Sequence, residues 1–253
     1  MSVVEDNSDK FYIITGATSG IGKALANALD LQGERLILMA RSKEKLFDLE
    51  TTLLGNHVYL QVDLTNIDEL IKTLKQSSYK IKGFVHCAGM ESVIPLRQVS
   101  YLKFDHLMRL HVYSFVEIVK YIEKNKNHND HFLTSIVAIS SIASQSCGIG
   151  QSMYSSSKAG LEALVRVLSK ELANKKIRLN SIQPGIVNTE MTERWRKRIG
   201  ISSVDELNKL QINGVAECSD VVSLLLFLLM DNSKQISGTE IKIDGGGPTN
   251  KYF

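Results

Sequence analysis

Tyr154 and Lys158 stand four residues apart in Met153-Tyr154-Ser155-Ser156-Ser157-Lys158, where a helical pattern opens, so both project from one helix face. A free phenol has a pKa of about 10 and stays protonated at neutral pH. A nearby ammonium that lowers it by about three units stabilises the phenolate by roughly 4 kcal/mol and makes Tyr154 a usable general acid or base. Upstream, Ser140-Ser141 closes the apolar run Ile136 to Ile139 and sets a hydroxyl at a strand end. Ser141 is the candidate to hold a substrate oxygen. A Tyr and a Lys one turn apart are commonly a surface pair, so the pattern gains meaning only from its company.

That company begins at Thr15-Gly16-Ala17-Thr18-Ser19-Gly20-Ile21-Gly22-Lys23, which follows the apolar run Phe11 to Ile14 and leads into a helical pattern from Ile21. Glycines let a chain turn sharply and approach a diphosphate, and the free N–H groups of a helix start stabilise the anion. The alternative is a tight turn without a ligand. A second apolar run ends Met39-Ala40-Arg41-Ser42-Lys43, where an NAD-preferring site places an acid on the ribose. No acid stands there. Arg41, helped by Ser42 or Lys43, suits a 2′-phosphate, which favours NADP(H) over NAD(H); the alternative is a solvated surface Arg.

Seven short strands are expected to position these residues: Phe11 to Ile14, Leu36 to Met39, Val58 to Val62, Gly83 to His86, Ile136 to Ile139, Arg178 to Ile182 and Glu240 to Ile243. Helical spacing fills Ile21 to Leu31, Lys43 to Leu53, Ile67 to Gln76, Tyr101 to Lys124, Met153 to Asn174 and Ser219 to Met230. The alternation implies an α/β fold, a doubly wound parallel seven-stranded sheet with helices on both faces. Lys124 to His131 is polar and reads as a solvated loop, and Thr189 to Gly214 has helical pieces without a strand and is the place for a substrate lid. Neither has the composition of a linker, so residues 1–253 are read as one domain.

With 253 residues, 43% hydrophobic and 23% charged, the chain has ordinary globular composition, and a formal charge of +3 argues against nucleic-acid or anionic-membrane partners. Cys87, Cys147 and Cys218 are widely spaced, which fits a reducing cytoplasm better than a disulfide framework. The opening MSVVEDNSDK lacks the pattern of a signal peptide, and Val221 to Met230 is too short to span a bilayer. The six histidines form no zinc-like spacing, so no metal site is expected. Arg194-Trp195-Arg196-Lys197-Arg198 is a cationic segment, either a solvated helix face or a cap that attracts an acidic substrate group.

Taken together, the chain resembles the classical short-chain dehydrogenase/reductase family over nearly its whole length. The matching stretches are Thr15 to Gly22, Val62-Asp63-Leu64, Cys87-Ala88-Gly89, Ile139-Ser140-Ser141, Tyr154 to Lys158, Pro184-Gly185-Ile186-Val187-Asn188-Thr189 and Ile243-Asp244-Gly245-Gly246. The resemblance implies a Rossmann-like fold. It implies cofactor contacts from Gly16, Thr18, Ser19, Gly20, Ile21 and Gly22, and from Asp63 and Leu64 near the adenine. Ala88 and Gly89 would line the adenosine pocket, Tyr154 and Lys158 would meet the nicotinamide ribose region, and Pro184, Gly185, Val187 and Thr189 would lie by the carboxamide. It also implies a homotetramer or homodimer, joined through Tyr101 to Lys124 with Met153 to Asn174 and through Val221 to Met230. Two positions depart from the family pattern. His111 stands where a fourth catalytic Asn is usual, which puts the proton relay in doubt, and His86-Cys87 replaces Asn-Asn. The expected activity is NADP(H)-dependent interconversion of a carbonyl and a secondary alcohol on a small molecule. Reduction of a 3-oxoacyl thioester on acyl carrier protein or coenzyme A is one alternative. A non-catalytic NADP(H)-binding sensor or scaffold is another.

Overall fold

The computed structural model describes residues 10–76, 78–126, 132–198, 200, 201 and 203–247. Strands β1 (Lys10–Thr15), β2 (Arg35–Ala40), β3 (Val58–Gln61), β4 (Lys80–His86), β5 (Thr134–Ile139), β6 (Ile177–Pro184) and β7 (Glu240–Ile243) form one sheet. Every pairing is parallel, in the order β3-β2-β1-β4-β5-β6-β7. The order reverses beside β1, and the crevice at the carboxyl ends of β1 and β4 is where such sheets bind ligands.

Side-chain alternation along the strands divides the core into two layers. Phe11 and Ile13 of β1 and Phe84 of β4 pack against α3 (Ile67–Lys75), α5 (Ser114–Asn125) and α7 (Ser152–Glu171) on one face. Tyr12 and Ile14 face α1 (Gly20–Leu31), α2 (Lys43–Glu50) and α10 (Cys218–Leu229) on the other. All seven strands lie where the apolar runs place them; five are extended by one to three residues at one or both ends, β7 matches and β3 stops one residue early, at Gln61.

The Met153 to Asn174 pattern ends at Glu171, and two further helical patterns differ from expectation. The pattern Lys43 to Leu53 stops at Glu50, because the Thr51 and Thr52 hydroxyls turn back to the Asp48 and Leu49 carbonyls and the next amides, Leu54 and Gly55, donate to Asp30. The long pattern from Tyr101 is α4 (Tyr101–Met108) joined to α5 by a π-turn at Arg109–Tyr113. A π-turn widens the ring and releases a carbonyl; here Leu110 O accepts from Ser114 Oγ at 2.7 Å and from His86 Nε2 at 3.2 Å. Helix α5 runs on to Asn125, so the polar stretch from Lys124 begins inside a helix; its residues 127–131, like residues 1–9, lie outside the described ones.

The segment 189–214 holds α8 (Glu190–Arg198) and α9 (Val204–Asn208), after a short α6 (Ala143–Ser146) earlier in the chain. It has a small core of its own, in which Ile186, Ile201, Leu207 and Leu210 pack with Trp195 and Val215. No helix among the described residues is long and apolar enough to cross a membrane.

Candidate active site

The glycine turn is built by close approach. Gly16 sits at φ +65°, and a Cβ there would meet the Ala88 backbone at 3.0 Å; a Cβ on Gly22 would fall on the Gly16 carbonyl. Ser19 caps α1 with no side-chain bond to the helix, and no acid lies in the first turn. Its hydroxyl and the first N–H groups therefore remain as anion donors. Ala88 N–H donates to Thr15 Oγ1 at 3.2 Å, and Thr15 Oγ1 lies 3.0 Å from His86 Nδ1. Because His86 Nε2 faces a carbonyl, the proton belongs on Nε2 and Nδ1 accepts from Thr15. Burial, and then the Lys158 charge, push His86 down to about 3, so the bridge is a neutral one.

Two cavities meet at this turn. The larger, about 550 Å³, is lined by Gly16, Thr18, Ser19, Arg41, Ser42, Asp63, Leu64, Ala88 and Gly89 from the expected set. Asp63 is partly buried, which pushes its pKa up, but bonds from Thr65 N–H (2.9 Å) and Thr65 Oγ1 (2.8 Å), with Arg41 nearby, hold it below the usual carboxylate range. Both bonds end on Oδ1, leaving Oδ2 to meet a ligand. Ser42 is committed elsewhere: it caps α2 by accepting from Lys45 N–H and donates to Glu44. Lys45, rather than Lys43, joins Arg41 on the cavity wall.

The second cavity, about 210 Å³, is lined by Gly16, Ser19, Gly20, Ile21, Ala88, Gly89, Ser141, Tyr154, Lys158, Pro184, Gly185, Val187 and Thr189. Thr189 reaches it because its methyl lies over Gly20, where a Cβ would meet it at 3.2 Å. Of the expected residues, Gly22 and His111 line neither cavity.

His111 is fully buried behind Gly89. Its Nε2 accepts from Met90 N–H at 3.1 Å and its Nδ1 lies 2.8 Å from Ser157 Oγ, which itself donates to the Tyr154 carbonyl. The proton is thus on Nδ1, and burial with the Lys158 charge holds the ring neutral. Its edge packs on the Tyr154 ring, with centroids 5.8 Å apart. Its side chain therefore packs against Tyr154 and lines neither cavity. The π-turn is formed with His at this place, so the bend does not require Asn.

The expected lowering of Tyr154 by Lys158 is not found. Burial pushes Tyr154 up to about 12, with a bond from Ser141 acting the other way. Lys158 Nζ lies 5.9 Å from the Tyr154 ring centre and donates to the Ile139 carbonyl at 2.8 Å. Burial also pushes Lys158 down to about 8, because a charge in this wall is costly for either group.

The cationic run of α8 is partly paired, four cations against three carboxylates: Arg194 faces Glu190, Arg196 and Lys197 face Glu193, and Arg198 pairs with Glu91. Arg194 stays largely exposed and lines both cavities. The sequence reading missed Glu91, Val93 and Gln151, which meet Ser141, Tyr154 and the lid residues Met191 and Trp195 at a third cavity of about 100 Å³. The missed three come from two separate segments with no shared spacing, so no local signal marked them. Among the described residues no three His, Cys, Asp or Glu side chains gather as metal ligands.

A family profile described as enoyl-(acyl carrier protein) reductase matches residues 16–247. L-xylulose reductase of Caenorhabditis elegans is 31% identical over 97% of this chain and 98% of its own. The 3-oxoacyl-[acyl-carrier-protein] reductase of Thermotoga maritima is 30% identical over 94% and 97%. The chain belongs to the short-chain dehydrogenase/reductase family. Among solved short-chain dehydrogenase/reductase folds, an actinorhodin polyketide ketoreductase with NADPH superposes with TM-score 0.86 at 21% identity, covering 95% of this chain and 97% of that one. A 4-hydroxyisoleucine dehydrogenase with NADH gives 0.85 at 24%, covering 94% and 98%. As an oxidoreductase of this family the chain is built to use a nicotinamide cofactor on a small molecule.

Proposed function

We propose that the protein is an NADP(H)-dependent oxidoreductase that interconverts a carbonyl and a secondary alcohol. One observation carries the reading: α7 brings Tyr154 and Lys158 onto the same cavity wall as Ser141 and the glycine turn. A nicotinamide dinucleotide suits this wall, because the glycines leave space that a Cβ would fill and the start of α1 offers free donors. When bound, it supplies or accepts the hydride. Arg41 and Lys45, with no acid at the end of β2, support the 2′-phosphate form.

Ser141 orients the substrate oxygen, and Tyr154 exchanges a proton with it. A phenol held at about 12 carries its proton at neutral pH, the form that can donate to a substrate oxygen. Lys158, on the same wall, is placed to hold the nicotinamide ribose. His111 braces the Tyr154 ring, and the segment 189–214 acts as the lid, with Met191, Thr192 and Trp195 facing the substrate. Three free cysteines suit a reducing cytoplasm, and the exposed Tyr101 and Leu102 on α4 and Phe227 on α10 suit assembly into a homodimer or homotetramer.

Reduction of a 3-oxoacyl thioester is a second reading, favoured by the 30% identity to the Thermotoga maritima enzyme. Tyr154→Phe should cut turnover on a proven carbonyl substrate by about a hundredfold or more while NADPH affinity stays within about twofold. Wild-type turnover in that variant would end the assignment. Tight NADPH binding with no turnover of any carbonyl would favour a sensor or scaffold.

A further inference from the structure

We propose that Glu162 is a positioning residue of this site, one carboxylate that fixes the loop holding Ser141 and sets the charge on Lys158. The proposal rests on the oxidoreductase reading above for its effect on turnover, on the hydrogen bonds of Glu162 for the loop, and on its place one turn from Lys158 for the charge. Tyr154, Lys158 and Glu162 follow each other at four-residue intervals along α7, so they form one stripe facing the exit of β5. Tyr154 meets Ser141, Lys158 meets the Ile139 carbonyl, and Glu162 takes what lies on either side.

Glu162 is 3% exposed, and its Oε1 accepts from Ser140 Oγ at 2.5 Å, Ser144 Oγ at 2.7 Å and Gln183 Nε2 at 2.9 Å. Ser144 Oγ also lies 2.8 Å from the Ser141 carbonyl, so both flanks of Ser141 hang from one oxygen atom. Ser141 Oγ is left to accept from Ala143 N–H and to face Tyr154. A buried carboxylate without a guanidinium or ammonium in direct contact is expensive, and an apolar side chain would pack there at lower cost. A role in the site accounts for the charge.

The groups that bear on Lys158 come from three elements. His86 on β4 and His111 in the π-turn are held neutral by burial, and Cys87 after β4 is a thiol pushed up to about 12. Tyr154, on α7 itself, is a protonated phenol. Cys87 and then Glu162 act against burial on Lys158, and with Cys87 a thiol at neutral pH the Glu162 carboxylate is the charge that remains.

The test compares wild type with Glu162→Gln, which keeps the shape and an acceptor oxygen and drops the charge. Carbon NMR of labelled lysine, with the Lys158 resonance assigned by its loss in Lys158→Met, reads the Lys158 titration midpoint without substrate or cofactor. We expect Glu162→Gln to fold, to lower that midpoint by about one pH unit, and to reduce kcat about tenfold with KM within about twofold. An unmoved midpoint together with wild-type kcat would overturn the proposal. Should Glu162→Gln not fold, Ser140→Ala removes one bond to the carboxylate and no charge; kcat should fall several-fold with the midpoint in place, and unchanged kcat would overturn the positioning role. If the wild-type protein turns over no carbonyl, the oxidoreductase reading fails, while the Lys158 midpoint still decides whether Glu162 sets that charge.

Discussion

At the scale of single residues, the decisive chemistry is the protonation of groups walled off from water. Tyr154 and Lys158 on the cavity wall, and His86 and His111 behind it, are each pushed toward the neutral form by burial. The spacing of Tyr154 and Lys158 announced a shared site, yet it suggested that the lysine dominates the phenol; burial outweighs it because the ammonium is turned to the Ile139 carbonyl. Arg41 is the opposite case, an exposed side chain whose effect depends on what binds. Arg41→Ala should weaken NADPH about tenfold or more and leave NADH within about twofold, as one charge-assisted contact to a 2′-phosphate is lost. Fluorescence titration with both nucleotides checks this, and equal losses for the two would remove the phosphate assignment.

At the scale of elements, the periodicities that reveal strands and helices are local, and they were legible. The glycine turn, the strands and the Tyr154 helix all lie where their patterns put them. Helix interruptions were not legible, because they depend on distant partners. The π-turn at Arg109–Tyr113 shares its Leu110 carbonyl with His86 of β4, and α2 ends early where Asp30 of α1 takes the Leu54 and Gly55 amides. Gly22 illustrates a third kind of constraint. It touches neither main cavity, but its Cβ would fall on the Gly16 carbonyl, which is backbone and cannot move without reshaping the turn. Gly22→Ala should therefore cost about tenfold or more in NADPH affinity, although alanine is the better helix former, and isothermal titration measures it. Affinity equal to wild type would mean that the turn is not the phosphate cradle.

At the scale of the whole molecule, neutral buried histidines couple folding to pH. An unfolded His binds a proton below about pH 6.5, whereas His86 in the folded chain resists protonation until about pH 3. The unfolded state then binds more protons across that window, so stability falls as pH falls, by on the order of 4 kcal/mol for His86 alone, with His111 adding in the same direction. Thermal midpoints between pH 7.5 and pH 4.5 should drop more steeply for wild type than for His86→Asn, whose side chain does not titrate. Parallel curves would show that His86 is not the buried base.

What the chain determined by itself was everything encoded in short spacings: seven parallel strands, the order of elements, the glycine turn, and the Ser141, Tyr154 and Lys158 set. Tertiary structure decided which of those side chains touch, what each costs to charge, and who stands behind them. His111 became a brace for Tyr154, Ser42 a helix cap, and the cations of α8 partners of Glu190, Glu193 and Glu91. The division has a physical cause. Backbone conformation follows neighbours within a few residues, whereas desolvation and hydrogen-bond pairing are set by whatever the fold packs alongside, from any distance along the chain.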